Sequence, residues 1–315
     1  MGVIRNRGAD PASAATGAPP NAARSDALRH AARPHRTLWR DAFSRLIANR
    51  LALFGMIVIL AIVFMAVFAP LIAPYDYRDQ HLGSTFQSPS SEWWMGTDNV
   101  GRDMFSRMIY GARVSMLVGL GAQVIILAIA LPIGIIAGYS GGRVDNLLMR
   151  LVDVMYAFPQ LLFVILIMAM LGRGLQNIFL AIGITGWVIL ARVVRAEFLS
   201  LREKDYVVSA HAAGAGSWRI AMKHILPNAL TPIIVTITFG VPLAIFTEAA
   251  LSFVGVGISP PMPSWGGMVG DNQTYINSYW FLSLFPALAI ALVMMSFTFF
   301  GDGLRDALDP RSGRR

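Results

Sequence analysis

The histidines are the residues of this chain best suited to acid–base or metal chemistry, and their spacing supports neither. The sequence has five histidines in 315 residues, and no two of them stand at an HxxxH or HxH spacing. It has no cysteine, which excludes disulfides, thiolate metal sites and cysteine nucleophiles. It also has no recognisable Ser/His/Asp set, paired carboxylates or HExxH sequence, so the residue types argue against an enzyme. The histidines are His30, His35, His81, His211 and His224.

Two aspartates in the segment Met95–Asp103 offer a cation site as an alternative. A calcium loop needs more oxygen ligands, at alternating positions over about twelve residues, than Asp98 and Asp103 supply. An aspartate before an apolar periodic segment is typical of a helix N-cap. We therefore favour the interpretation that the aspartates and a glycine turn start an amphipathic helix.

The glycine-rich segment Gly138–Asp145 resembles a phosphate-binding loop in its glycines only. It lacks the GK[ST] ending, and no GxxxxGK[ST] sequence occurs anywhere in the chain. We predict a turn that breaks a helix here, and no ATP site in this chain.

Glu248 is the one acidic residue deep inside an apolar segment. A charge in hydrocarbon is costly and must face protein or water, so a proton or ligand role is one hypothesis. The favoured hypothesis is a structural hydrogen bond between packed helices, because small residues that permit close approach follow Glu248. These residues are Ala249, Ala250, Ser252 and Gly255.

The composition is that of a membrane protein. Hydrophobic residues make up 55% of the chain, charged residues make up 14%, and the mean hydropathy is +0.57. The net charge of +8 comes from basic residues beside apolar segments, without the interleaved aromatics typical of nucleic-acid binding. We therefore expect a lipid membrane, and no nucleic acid, as the partner of this charge.

A transmembrane helix needs roughly 20 apolar residues, and six segments qualify or come close. We predict a disordered basic tail over 1–36, an amphipathic lead-in helix over 37–50, and a six-span membrane domain over 51–311. The alternative for 37–50 is a continuation of the first span, and the alternative for the fourth span is part of a re-entrant pair. The predicted spans are 51–72, 114–139, 154–171, 175–191, 231–256 and 280–300.

Lysines and arginines near the span ends predict the orientation. Six crossings place the basic residues of the N-terminal tail, of the segment between spans four and five, and of the C-terminal tail on one side. Both termini are therefore expected to be cytoplasmic. The basic residues are Arg24, Arg29, Arg33, Arg36, Arg40, Arg45 and Arg50 in the first group, Arg192, Arg195, Arg202, Lys204, Arg219 and Lys223 in the second, and Arg311, Arg314 and Arg315 in the third.

The segment Tyr206–Pro227 lies between two apolar runs and is rich in small residues. Gly214 stands in its middle, and Leu226 and Pro227 follow at its end. The pattern predicts a helix, a hinge at Gly214, a second helix, and a proline stop before the next apolar run.

This segment resembles the cytoplasmic loop of ABC importer permeases, which has an EAA triplet, a glycine after three residues, and an Ile-x-Leu-Pro ending after nine more. The chain is similar to the "C" permease of the dipeptide, oligopeptide and nickel branch over residues 37–311. It departs from the pattern at Val208, Ser209 and Ala210, which lack the acidic residue, and at His211 and Ala213. The other matching motifs are Gly96–Asp103, Tyr110–Ser115, Leu199–Tyr206, His224–Leu230, Thr247–Phe253, Pro263–Gly266 and Gly301–Arg311.

The resemblance implies an all-α integral membrane fold of the type I ABC importer class, with six transmembrane helices and a cytoplasmic coupling helix within residues 201–230. It implies that small residues allow close contact with an ATPase, that Trp218 and Met222 are larger anchors, and that Arg219 and Lys223 form a basic rim. The alternative is a purely structural role, in which the loop only stabilises the helix bundle of this chain. The implied coupling residues are Ala212, Ala213, Gly214, Ala215, Gly216, Trp218, Arg219, Met222, Lys223, His224, Leu226 and Pro227.

The resemblance also implies the partners. These are a second homologous permease, two ABC ATPase subunits that bind ATP and Mg, and an extracytoplasmic binding protein docked on loops 76–112 and 258–280. The chain would translocate small peptides or a related solute across a bacterial inner membrane, and we expect apolar pore-facing residues. An ion-coupled secondary transporter is the alternative; it predicts internal repeats and intramembrane carboxylates, of which only Glu248 is found. Dipeptides, longer peptides, nickel chelates and glutathione-like molecules remain open as substrates.

Overall fold

The computed structural model describes residues 38–308, and the regular secondary structure in this range is helical apart from one isolated bridge between Thr97 and Asp103. The predicted tail over 1–36 and the three C-terminal arginines lie outside the described residues. The helices are α1 Leu38–Ala48, α2 Arg50–Val67, α3 Ala69–Ile72, α4 Met104–Ser140, α5 Gly142–Ala157, α6 Gln160–Leu171, α7 Leu175–Arg202, α8 Asp205–Ala212, α9 Ser217–Ile220, α10 Leu226–Phe253, α11 Trp265–Asn272 and α12 Phe281–Leu308, with short 3₁₀ turns at Leu82–Ser84 and Gln273–Tyr275 and a π-helical segment at Ala221–Ile225.

Five helices of the described chain are long and apolar enough to cross a membrane. They are α2, α4, α7, the continuous helix Ser217–Phe253, and α12. A sixth crossing arises if the bent pair of α5 and α6 is counted as one span. Counted in this way, the helices agree with the predicted number of spans.

The third predicted span, 154–171, is not one straight helix. Helices α5 and α6 meet at a break and are bent by 85°. Phe158 has the extended conformation φ −82, ψ 132, because the ring of Pro159 disfavours helical backbone in the residue before it. Hydropathy continues through the break, and the pattern therefore does not show it.

The first two boundaries follow capping side chains. Asn49 accepts hydrogen bonds from the backbone N–H groups of Leu51 (3.1 Å) and Ala52 (3.3 Å), so α1 and α2 are separate helices. This boundary favours a separate lead-in helix over a simple continuation of the first span, and the location of α1 at a membrane surface stays a prediction. Asp103 caps α4 by accepting from the N–H of Ser106 (2.8 Å), which confirms the predicted helix start.

The proline stop predicted at Pro227 is wrong. The helix continues from Ser217 to Phe253 through Pro227. The five π-helical residues Ala221–Ile225 precede Pro227, and a π-bulge changes the hydrogen-bond register just where the proline has no N–H to donate. The part before Pro227 and the part after it therefore form one continuous helix.

Helices α4 and α7 share the most extensive contact of any helix pair in the described part of the chain. A Cβ atom added to Gly134 would lie 2.5 Å from the Cβ of Val194, and one added to Gly138 would lie 2.6 Å from the Cβ of Phe198. Small residues permit such close backbone approach between membrane helices. Val194 and Phe198 are fully buried and belong to the same apolar cluster as Ile220 and Ile225. The α4–α7 pair therefore joins the membrane bundle to the segment after α8.

Candidate functional site

The predicted hinge at Gly214 is a helix C-cap. Gly214 has φ +79, the N–H of Ala215 donates to the carbonyl of Ala210 (3.1 Å), and the N–H of Gly214 donates to the carbonyl of His211 (2.9 Å). This pair of bonds is the Schellman motif, which ends a helix with a left-handed glycine. The chain therefore turns sharply between α8 and α9 at a position that only glycine adopts without strain.

The turn presents a mixed apolar and basic surface, which we call the loop surface and define by Val208, Trp218, Arg219 and Lys223. All four residues are exposed, and Trp218 has 72% of its surface open to solvent. An exposed tryptophan beside basic side chains is a feature of protein interfaces. The other predicted coupling residues that are exposed are Ala212, Ala213, Gly214, Gly216 and Pro227.

The remaining predicted coupling residues face the protein instead. Met222, implied as an anchor for a partner, is half-buried and packs with Ala215 and Leu226 against the apolar cluster of α4 and α7. His224 is also half-buried. Of the two implied anchors, Trp218 alone is exposed.

Buried side chains fasten this loop to the membrane helices. Val207 of α8 is 1% exposed and lies in the same cluster as Ile220 and Ile225. His211 Nε2 and the hydroxyl of Tyr139, near the end of α4, are 3.2 Å apart. Packed side chains therefore connect this loop to α4 and α7.

An ion pair ties α5 to α7 beside this cluster. Arg195 Nη2 donates to Asp145 Oδ2 at 2.6 Å, and Arg195 Nε donates to the other carboxylate oxygen, which makes the pair bidentate. In the sequence analysis Arg195 was used only as one of the basic residues that predict the orientation in the membrane. The two residues lie far apart in the sequence, and no local pattern links them.

The aspartates of the segment before α4 are occupied by internal donors. Asp98 Oδ1 accepts from the N–H groups of Val100 (3.0 Å) and Arg102 (2.9 Å), and Asp98 Oδ2 accepts from Arg102 Nε (2.6 Å). Arg107 Nε lies 3.7 Å from the same oxygen. These contacts favour the structural interpretation of Asp98 over the cation site.

Glu248 is fully buried in α10. Its Oε1 accepts from Ser252 Oγ at 2.7 Å, one turn later in the same helix, and Ser252 Oγ lies 3.5 Å from Ser264 Oγ. The predicted bond between packed helices is therefore a bond within one helix, extended to the loop before α11. Small residues do permit close packing here, since a Cβ added to Gly266 of α11 would lie 2.2 Å from the Cα of Ala249.

A cleft of about 770 Å³ opens between α4, α6, α7, α10 and α12. Its walls are not purely apolar. Gln123, in the middle of α4, is the only carboxamide in the predicted span 114–139. A single polar side chain in an apolar span is the sequence feature from which Gln123 could have been predicted as a functional residue. The polar lining residues are Gln123, Gln160, Glu197, Asn228, Thr231, Thr236, Thr247 and Arg305.

Comparison with known proteins identifies the family. The model for "Binding-protein-dependent transport system inner membrane component" matches residues 130–314, which is more than half of the chain. The chain belongs to this family. A second model, for the N-terminal TM domain of oligopeptide transport permease C, matches residues 37–89 and covers the first span of the permease.

Curated relatives cover most of the permease. It is 45% identical over 275 residues to the oligopeptide transport system permease protein OppC of Bacillus subtilis (strain 168), a match of 87% of this chain and 90% of the relative. It is 44% identical to the dipeptide transport system permease protein DppC of the same organism, over 90% of this chain and 88% of the relative. It is 36% identical to the glutathione transport system permease protein GsiD of Pectobacterium atrosepticum, over 88% and 92%. The resemblance to ABC importer permeases is confirmed.

A solved structure supports the fold. The permease matches a chain of the MetNI methionine ABC transporter, solved in inward-facing conformations, with a TM-score of 0.53 at 17% identity. The match covers 65% of this permease and 98% of that chain. The predicted all-α membrane fold of this importer class is confirmed.

Proposed function

We propose that the permease translocates small peptides as one of two membrane subunits of an ATP-driven importer. The observation that carries this proposal is the exposed helix–glycine–helix loop, which packed side chains join to α4 and α7. The relatives named for oligopeptides and dipeptides support peptides as the substrate class. A homologous permease, two ABC ATPases that bind ATP and Mg, and an extracytoplasmic binding protein complete the assembly.

The loop surface is the proposed seat of an ATPase. Trp218 supplies the apolar anchor, and Arg219 and Lys223 supply the basic rim. Closure of the ATPases on nucleotide moves this surface, and the cluster of Val194, Phe198 and Ile220 transmits the movement to the bundle. A packed core has discrete arrangements, so this movement switches the helices between inward- and outward-facing states.

The 770 Å³ cleft is the proposed route of the solute. Carboxamide and charged groups at membrane depth face protein or water, because exposure to hydrocarbon is costly. The lining of the cleft combines such groups from five helices. In the proposed orientation the loop surface and both termini are cytoplasmic, in the inner membrane of a bacterium.

The proposal predicts ATP-driven uptake by the complete importer. We expect proteoliposomes that contain both permeases, both ATPases and the loaded binding protein to import a tripeptide when ATP is present. A protonophore is expected to leave the initial rate within about twofold, because no ion gradient drives the step. Uptake that persists without ATP and collapses with the proton gradient would show an ion-coupled transporter instead.

Substitution of Trp218 tests whether the loop surface is the binding site of the ATPase. Trp218→Ala is expected to weaken association of the ATPase subunits roughly tenfold or more, since buried tryptophans dominate interface energies. The matched control is Trp94→Ala, because Trp94 is also exposed, at 62%, but lies in the segment between α3 and α4. Retention of the ATPase subunits in co-purification measures both variants. Equal retention of the ATPases by both variants would contradict the proposed seat.

A further inference from the structure

Gln123 has a buried side chain whose amide nitrogen has no hydrogen-bond partner among the described residues. The residue is 6% exposed, and the atom without a partner is Nε2. A carboxamide offers two donors and an acceptor, and burying such a group without partners is unfavourable. Folding alone gives no reason to keep glutamine at the middle of an apolar helix, where methionine fills the same space.

Gly240 of α10 keeps space open around this carboxamide. A Cβ atom at position 240 would lie 2.5 Å from Gln123 Oε1 and 2.8 Å from its Nε2. Gly240 is not among the glycines with positive φ, so its backbone conformation does not require glycine. In a helix interior glycine is less stable than alanine, and close approach to Gln123 is the reason for its presence.

The carboxamide lies in the wall of the cleft, which also holds the carboxamide of Gln160 from α6. The two side chains come from different helices, and each offers both N–H and C=O groups. Asn228 of α10 lines the cleft as well, but its Nδ2 already donates to the carbonyl of His224 (2.7 Å). A ligand that offers a carbonyl and an N–H on the same edge, as one residue of an extended peptide does, complements such a wall.

Resting on the proposed function, we propose that Gln123 is a specificity-determining residue that binds a backbone amide of the peptide in transit. Its Nε2–H donates to a peptide carbonyl, and its Oε1 accepts from a peptide N–H. Rotation about the terminal side-chain torsion exchanges the two groups, so the contact adapts to either direction of the peptide. The contact is independent of the peptide's side chains, because every peptide carries backbone amides.

The test compares a peptide with an ester analogue in the complete reconstituted importer. The probes are trialanine and its analogue in which an ester oxygen replaces one peptide N–H. Uptake is measured with saturating loaded binding protein, and binding of each probe to that protein is measured separately. The variants are Gln123→Met, which keeps the volume, and Gly240→Ala, which displaces the carboxamide. Gly121→Ala is the control, because a Cβ there meets Phe179 only at ordinary contact distances of 3.5 Å or more.

We expect wild type to import the ester roughly fivefold more slowly than the peptide, as the loss of one hydrogen bond implies. Gln123→Met and Gly240→Ala are expected to import the peptide at the ester's rate and the ester at an unchanged rate. The control Gly121→Ala is expected to keep the wild-type ratio between peptide and ester.

Three outcomes would overturn the inference. If both variants keep the wild-type ratio between peptide and ester, Gln123 does not bind the amide, and the proposed function stands. If Gln123→Met fails to assemble with the second permease, the glutamine serves the subunit interface instead. If wild type imports neither probe with ATP, the proposed function fails, and this inference fails with it.

Discussion

Gly214→Val is expected to reduce ATP-driven uptake more than tenfold while the protein still accumulates in the membrane. Gly214 has φ +79, which a β-branched residue adopts only with strain. No atom lies within 4 Å of a Cβ at this position, so the effect is one of backbone conformation and not of collision. Strain at the turn changes the angle between α8 and α9. The loop surface is then displaced from the position in which the ATPase binds it.

Two further variants separate backbone strain from the mere addition of a side chain. Gly214→Asn is expected to retain most uptake, because asparagine tolerates the left-handed conformation better than other non-glycine residues. Gly216→Ser is expected to be neutral, since Gly216 has φ −68, has open space around it, and occupies an N-cap position that serine favours. Uptake and co-purified ATPase are measured for all three. Equal loss for Gly214→Val and Gly214→Asn would contradict the assignment to backbone strain.

Hydropathy predicts the location of the membrane helices in this chain but not their ends. The apolar run that begins near Leu175 continues as helix to Arg202, because charged residues outside the hydrocarbon do not stop helical hydrogen bonding. The helix before it bends at Phe158 and Pro159 without any loss of hydropathy. Prolines are common inside membrane helices, where neighbouring groups satisfy the freed carbonyls, so a proline alone does not locate a break.

The loop was predictable because its signals are local. A glycine at the end of a short polar helix is the ordinary C-cap pattern, and the structure places Gly214 in that position. The inward packing of Met222 was not predictable, because it depends on the π-helical segment Ala221–Ile225. That segment changes the helical register, and the face on which a later side chain lies changes with it.

The cleft depends on contacts between distant segments. Gln123 contacts Gly240 only when α4 and α10 pack together, and no sequence pattern predicts that these two residues are neighbours. The same holds for Asp145 and Arg195. Sequence patterns locate isolated polar groups in apolar helices, and the tertiary structure decides which of them share a site.

Gly134→Ala is expected to destabilise the bundle by about 1–3 kcal/mol, the usual range for overpacking a core. The added Cβ would lie 2.5 Å from the Cβ of Val194 and 2.8 Å from the carbonyl oxygen of Ala191. Both atoms are fixed by the backbone of α7, so rotation of a side chain does not relieve the collision. Alanine gains up to about 1 kcal/mol of helix propensity over glycine, which offsets part of the cost.

Gly121→Ala is the matched control in the same helix, because its added Cβ meets the Phe179 ring at 3.5–3.7 Å. Both variants gain the same helix propensity, and only Gly134→Ala separates α4 from α7. Thermal unfolding in detergent is expected to show a lower midpoint for Gly134→Ala and an unchanged or higher midpoint for Gly121→Ala. Val194→Gly added to Gly134→Ala is expected to recover part of the loss, since it removes the atom in collision. If the two single variants unfold at the same temperature, the close approach of α4 and α7 does not limit stability, and the proposed route of force from the loop surface to the cleft loses its rigid link.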